Sequence, residues 1–220
     1  GADCNNYINK MADNTFLTVK IRNFNIKSYV TKCDKLIRNY NKIIKVNKFN
    51  FFPNNTQSNI LHKWFNECTT VYNYCCDKFN KNPNFFKQPY TKTKLVIFDE
   101  LYGNSDKGCP YDILTGEVQR FHSNIKSCYT NLSRNNVTHF TMKHKNTYKS
   151  QSMCIPKTAI KQNTFYSTHL GKKIEGLSNL GNVINDAYVV YNKMHNIYTL
   201  NVCTNCKVEF SSRTLHCLFG

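Results

Sequence analysis

The chain of 220 residues is short of acidic side chains, with 13 Asp and Glu against 30 Lys and Arg, which gives a formal net charge of +17. This shortage favours a polyanion partner, such as nucleic acid. No apolar run approaches the roughly 18 residues of a membrane-spanning helix, which excludes a membrane span. No charged-then-apolar leader opens the chain, so we expect an intracellular protein that is not secreted and has no membrane partner.

Alanine and arginine are also scarce, with four and five copies, whereas asparagine and lysine number 32 and 25. This composition is typical of an AT-rich gene, which accounts for much of the lysine but not for the shortage of acids. The apolar content of 40% and the aromatic content of 14% exclude a disordered basic tail. The length suits one or two domains with a core that needs no disulfides.

No constellation of catalytic residues is visible. The acids are scattered, the seven histidines lack metal-ligand spacing, and no glycine-rich phosphate loop occurs, so nothing indicates a small-molecule substrate. The odd number of cysteines, 11, predicts reduced thiols. Cys203 and Cys206 form one C-x-x-C pair with His216 and Cys217 downstream, but a single well-spaced pair does not predict zinc.

The apolar pattern predicts strands, then three helices, then strands again, which is an α+β organisation. The strongest helix covers residues 56–80, where Trp64 and Phe65 lie on the apolar stripe and are expected in the core. A further helix begins at Pro110. Other predicted helices cover residues 28–40 and 91–102, and predicted strands cover 15–24, 42–52, 151–155, 158–166, 186–191 and 196–202.

For the helix over 91–102, the spacing predicts that Leu95, Phe98 and Leu101 face the core and that Gly103 ends the helix. Ahead of the long helix, Asn54 to Thr56 offer an N-cap after Pro53.

The stretch from Phe49 to Asn73 resembles the opening of the transposon-encoded TnpB proteins and their Fanzor relatives. In that family a strand ends in an aromatic residue and Pro, and a polar turn with Gln follows. The next helix carries a Trp-Phe-like pair and, a few residues later, Val-Tyr-Asn. The matching residues are Phe52-Pro53, Gln57, Trp64-Phe65 and Val71-Tyr72-Asn73. Downstream, the segments TKTKL, QRFHSNIKSCYTNL, FTMKHK and IPK follow in the family's order. The resemblance covers roughly residues 14–210, and the composition is most similar to that of members from large DNA viruses.

The resemblance implies a fold in which a small β-barrel, called the wedge, is interrupted by a helical recognition insertion of about three helices. The implied segments are a disordered tail at 1–13, the first part of the wedge at 14–53, the insertion at 54–135, the second part of the wedge at 136–210, and the start of a RuvC-like nuclease at 211–220.

Family members are RNA-guided DNA endonucleases, in which base pairing reads the target and the protein reads a short adjacent motif. Their nuclease begins with an Asp-Pro-Gly signature that supplies a metal-binding carboxylate, and it carries a zinc ribbon. Here Leu218 and Phe219 stand before Gly220 in that place, and Leu218 offers no oxygen ligand. We therefore expect a truncated, transposase-like protein that binds guide RNA or DNA without cutting it and holds no metal itself.

Three alternatives remain open at this stage. The chain is a fragment of an intact RNA-guided endonuclease, or a helical interaction module with no nucleic-acid role, or a non-functional relic.

Eleven residues are candidates for nucleic-acid contact: Tyr72, Asn73, Tyr90, Lys94, Gln119, Lys143, His144, Lys145, Lys149, Gln151 and Ser152. The lysines and His144 suit phosphates, which give affinity and salt dependence rather than sequence reading. By the resemblance, Tyr90 and Gln119 align with residues that face the target-adjacent motif, and Lys94, Gln151 and Ser152 fall near such positions. A Gln bonds an adenine edge and a Tyr stacks on a base. A solvated lysine-rich surface, an ordinary helix start and an exposed amide are the alternative interpretations.

Overall fold

A computed structural model describes residues 44–148 and 150–205. The predicted tail at 1–13, the strand at 15–24, the helix at 28–40 and the segment at 211–220 lie outside the described residues. No helix in the described ranges is long and apolar enough to cross a membrane.

Three long helices lie between the first strand and the remaining strands. These elements are β1 (Ile44–Phe51), α1 (Asn55–Lys81), α2 (Tyr90–Tyr102) and α3 (Tyr111–Ser133). The second half contains β2 (Ser150–Ile155), β3 (Ile160–Lys161), β4 (Thr164–Phe165), α4 (Ser167–Leu170), β5 (Ala187–Asn192) and β6 (Ile197–Asn205), with single 3-10 turns at Pro83–Lys87 and Lys157–Ala159.

Four strands form one antiparallel sheet in the order β1-β6-β5-β2. The central strands β5 and β6 form a hairpin in which Val189 pairs with Leu200. Within the described ranges β1 and β2 are the outer strands, so this sheet is open and is not closed into the barrel that the resemblance implies. The structure is mixed helix and strand around an antiparallel sheet, as an α+β organisation requires.

Helix α1 begins with a reciprocal capping box. The Asn54 side chain accepts from the Gln57 backbone N–H at 2.9 Å, and the Gln57 side chain accepts from the Asn54 backbone N–H at 3.0 Å. The Gln57 amide also donates to the Leu170 carbonyl at 2.7 Å, which fixes α4 to the start of α1. The cap predicted after Pro53 is therefore confirmed, and the helix ends before Pro83, as its apolar period indicates.

The apolar stripe of α1 serves two hydrophobic clusters. Trp64 and Phe65 pack with the inner face of the sheet, including Met153 and Leu200, which confirms the prediction that both lie in the core. One end of the helix thus covers the sheet. The other end, from Val71 to Phe79, packs with α2 and α3 in the second cluster.

Helix α3 approaches the outer strand β2 closely because residue 116 is a glycine. A Cβ at Gly116 would lie 3.2 Å from the Cβ of Cys154, closer than side-chain carbons normally pack. Ile113, one turn earlier, reaches the first cluster, whereas Leu114 and Phe121 belong to the second. The helix therefore lies along the sheet edge with one side still exposed.

Two local predictions are wrong in part. On helix α2, Phe98 is buried, Leu101 packs partly buried against the second cluster and Gly103 ends the helix, as predicted, whereas Leu95 is 60% exposed. The helix buries Thr93 and Ile97 instead. Residues 95–98 are four consecutive apolar side chains, so their period does not define which face turns inward. The single strand predicted over 158–166 is instead a 3-10 turn followed by the short β3–β4 hairpin, because Gln162-Asn163 forms a turn.

Leu61 on α1 and Leu95 on α2 test which side chains these two helices bury. We expect Leu61→Ala to lower the free energy of unfolding by about 2–5 kcal/mol, because Leu61 is fully buried. Leu95→Ala is the matched control and should change it by about 0.5 kcal/mol or less. Urea denaturation followed by circular dichroism measures both, and equal losses would contradict the helix orientation described here.

Candidate nucleic-acid interface

The exposed side of α3 presents polar side chains between two depressions of the surface. Its buried stripe, from Ile113 to Ile125, directs Gln119, Ser123 and Lys126 toward solvent. Gln119 and Ser123 line both depressions. The helix is therefore a ridge, and its two sides can be described in turn.

The first depression, which we call the helix–sheet cleft, has a volume of about 700 Å³ and lies between α3 and the outer face of the sheet. Cys154, Tyr188 and Cys203 form its sheet side. Most of its other side chains are amides, hydroxyls or cations, and a single carboxylate is present. The full lining is Gly116, Gln119, Arg120, Ser123, Asn124, Cys154, Lys157, Ile184, Asn185, Asp186, Tyr188 and Cys203.

Arg120 is held in this cleft by Ser152 and Tyr188. Its Nη1 donates to the backbone carbonyl and to the hydroxyl of Ser152, at 3.2 and 3.1 Å. Its guanidinium carbon lies 5.4 Å from the centre of the Tyr188 ring, a cation–π arrangement. The guanidinium is thus fixed at the boundary between α3 and the sheet.

A fully buried carboxylate, Glu117, lies behind Arg120. One carboxylate oxygen is 3.2 Å from Nη1 of Arg120, and the other pairs with the Lys145 ammonium. That ammonium also lies 5.0 Å from the centre of the Tyr72 ring. A buried carboxylate is costly without such partners, so Glu117 fixes both cations in place.

The second depression, which we call the aromatic groove, has a volume of about 570 Å³ and lies on the other side of α3. No carboxylate is among its lining residues, which are Phe86, Lys87, Tyr90, Gln119, His122, Ser123, Ile125, Lys126 and Tyr129. Burial raises the pKa of Tyr90 to about 12, so its phenol stays protonated and donates to the Thr115 carbonyl at 2.9 Å. Burial lowers the pKa of His122 below its usual 6.5, which keeps the imidazole neutral at pH 7.

Of the residues predicted from the sequence, Tyr90 and Gln119 come together in the aromatic groove. Lys94 lies beside it, with its ammonium 5.6 Å from the Tyr90 ring and 5.5 Å from the Tyr111 ring. Tyr72 is only 7% exposed, and its ring packs edge-on against a phenylalanine of α3 in the second cluster. Its hydroxyl accepts from the Asn124 amide at 2.9 Å, so its contacts are those of a core residue.

The predicted basic segment is attached to α1 by side-chain contacts. Asn73 accepts from the Lys145 backbone N–H at 2.9 Å, and His144 contacts Asp77 at 2.8 Å. Lys143 is exposed to solvent. Lys149 lies outside the described residues.

The two predicted residues of β2 lie together. Ser152 accepts from Arg120. Gln151, Ser152 and the predicted Lys145 line one small pocket of about 130 Å³, separate from both depressions. Neither residue reaches the aromatic groove, so the eleven candidates do not form one continuous site.

Sequence reasoning missed the charged centre of this region. Glu117 and Arg120 are spaced three residues apart on α3, and Glu117 falls on the apolar side of the helix between Leu114 and Phe121. An acidic residue in an apolar stripe is the available signal for a buried, paired charge. Its second partner, Lys145, comes from a distant part of the chain and leaves no local pattern.

In residues 44–148 and 150–205, no group of three or more His, Cys, Asp and Glu side chains is arranged to hold a metal ion. Cys203 lies on β6 at the helix–sheet cleft, while its C-x-x-C partner Cys206 lies outside the described residues.

No family model matches the chain, and no curated protein matches it.

Glu117→Gln tests the buried charge cluster. We expect it to lower the free energy of unfolding by about 3 kcal/mol, because Arg120 and Lys145 would remain partly buried without their counter-charge. Glu100→Gln is the matched control: Glu100 pairs with Lys78 where both side chains are partly exposed, so the loss should be about 1 kcal/mol or less. Urea denaturation measures both, and a loss at Glu117 no larger than at Glu100 would contradict the assignment.

Proposed function

We propose that this protein binds nucleic acid, structured RNA or duplex DNA, through the exposed side of α3 and the adjoining helix–sheet cleft. One observation carries this: amide, hydroxyl and cationic side chains of α3, of the turn at Lys157–Ala159 and of the segment before β5 converge on one cleft of about 700 Å³, in a chain with a net charge of +17. The function is one of binding, with no cleavage step and no metal cofactor.

The side chains of the cleft suit the two parts of a nucleic acid differently. Lys157 and Arg120 carry the charge that attracts phosphates, and Asp186 is the single opposing carboxylate in the lining. Gln119 and Asn185 offer paired donors and acceptors for base edges or sugar hydroxyls. A cleft with both kinds of group fits a polynucleotide better than it fits a simple anion.

Most lysines of the described ranges are available for such contacts. The exceptions are Lys78 and Lys145, which form ion pairs with carboxylates. Lys126, Lys143 and Lys157 have no carboxylate within ion-pair distance among the described residues. The shortage of acids noted in the sequence therefore leaves positive charge at the surface.

We also propose that this fold corresponds to the one that the resemblance to TnpB and Fanzor proteins implies. In this interpretation α1, α2 and α3 form the recognition insertion, and the open sheet forms part of the wedge barrel. Gln119 and Tyr90, which the resemblance aligns with readers of the target-adjacent motif, lie on α3 and beside it.

The alternative, a helical interaction module, has one supporting observation. On α2, Leu95 and Val96 are exposed and border a shallow depression of about 470 Å³ together with Tyr111. Exposed apolar groups of this kind suit a protein partner. Such a module predicts no salt-dependent polyanion binding, so one titration separates the two functions.

A salt titration of the full chain with duplex DNA and with structured RNA tests nucleic-acid binding. We expect log K to fall linearly with log salt, because bound lysines release counterions from the phosphates. Lys157→Gln should make the slope shallower by about one contact.

Lys193→Gln, in the exposed β5–β6 turn and outside both depressions, is the matched control and should leave the slope unchanged. A weak response without salt dependence, from folded protein, would favour the helical interaction module.

A further inference from the structure

We propose that the aromatic groove receives an unpaired nucleobase of a single-stranded nucleic-acid segment, which stacks on Tyr129. This occupancy rests on the proposed function, because a strand held along α3 is what brings a neighbouring unpaired base to the groove. The two sides of α3 would then bind different parts of a nucleic acid. The helix–sheet cleft would contact structured or duplex nucleic acid, and the aromatic groove would hold a base.

The walls of the groove fit the flat, apolar faces of a base. Phe86, Tyr90, Ile125 and Tyr129 line it, and its volume of about 570 Å³ falls in the range of roughly 300–1,000 Å³ that is typical of ligand sites. Tyr129 is 42% exposed although it is a large aromatic residue. The Phe140 ring packs edge-on against it at 5.1 Å, so the tyrosine ring is held in place before any ligand arrives.

The charge of the groove is complementary to a nucleic-acid strand. Lys87 and Lys126 line it, no carboxylate does, and neither lysine forms an ion pair in the part of the chain that the structure describes. Single-stranded nucleic acids bind where such cations follow the backbone and aromatic rings take the bases. An apolar peptide would fill the walls but would make no use of the two ammonium groups.

Polar atoms in the groove match the edge of a base. The His122 ring lies between Phe86 and Tyr90, with ring centres 5.3 and 5.6 Å away. Its Nε2 is buried and has no hydrogen-bond partner in the described ranges. The exposed Gln119 amide can both donate and accept, and a base edge supplies the complementary groups.

The groove selects unpaired bases on steric grounds. A base inside a duplex is stacked on both faces and paired along its edge, so neither its face nor its edge is free to contact the groove. Recognition of this kind is typical of single strands, loops and ends whose bases are splayed out.

The test is fluorescence anisotropy of the full chain with a labelled single-stranded oligothymidylate and with the same strand carrying abasic sites. We expect Tyr129→Ala to weaken binding of the base-bearing strand about tenfold, as the loss of one stacked base predicts. Tyr129→Phe should bind like the wild type. The abasic strand should bind equally to the wild type and to Tyr129→Ala, because no base is left to stack.

Tyr111→Ala is the matched control. Tyr111 lies on the same helix, is 40% exposed and lines a different depression, so its removal should leave binding of both strands unchanged. Thermal melting verifies that each variant is folded. Ultraviolet crosslinking of a bromouracil-bearing strand to the wild-type protein gives a second measurement that needs no variant, with the crosslink expected at Tyr129 or Tyr90.

Three results would overturn the base site: equal loss of both strands in Tyr129→Ala, a similar loss in Tyr111→Ala, or a crosslink that maps outside the groove. In each case salt-dependent binding of duplex DNA and structured RNA by the same preparation would leave the proposed function standing. Failure to bind any of these nucleic acids would reject the function and the base site together.

Discussion

The buried carboxylate of Glu117 is the interaction on which the arrangement of this region depends. It pairs with Arg120 from its own helix and with Lys145 from the segment that follows α3, so the three side chains together keep one positive charge. Arg120 in turn holds Ser152 of β2, and the Lys145 backbone is held by Asn73 of α1. One negative charge therefore connects two helices, an extended segment and the sheet edge. Such a cluster tolerates no change of sign, since every partner of the carboxylate is a cation or depends on one.

The sequence predicts α1 well because its apolar period runs unbroken from Leu61 to Phe79 and its first turn carries a capping box. Burial and local hydrogen bonding then favour the same helix. Helix α2 differs, since Leu95 and Val96 are apolar by composition but lie on the solvent side. Its orientation is set by contacts with α1 and α3, which no window of local sequence contains.

The residues of the candidate site likewise fall into those that the sequence reveals and those whose role depends on distant contacts. Gln119 is exposed because it lies opposite the apolar stripe of α3, and this stripe is visible in the sequence. Tyr90 is the first residue of α2, close to the helix start that the sequence predicts. The roles of Lys145 and His144 were not visible, because each is set by a carboxylate far away in sequence. A lysine beside aromatic residues suits a phosphate contact equally well until the fold shows its partner. Long-range pairing of charges is thus what the sequence conceals here.

The close packing of Gly116 on Cys154 sets the width of the helix–sheet cleft. Because residue 116 carries a hydrogen atom in place of a side chain, the helix lies closer to the strand than a Cβ would allow without a shift of a few tenths of an ångström. A substitution there would press on the strand through Cys154. The cleft and the aromatic groove share Gln119 and Ser123, so a shift of this part of α3 would change the lining of both. A single backbone position thereby bears on both sides of the helix.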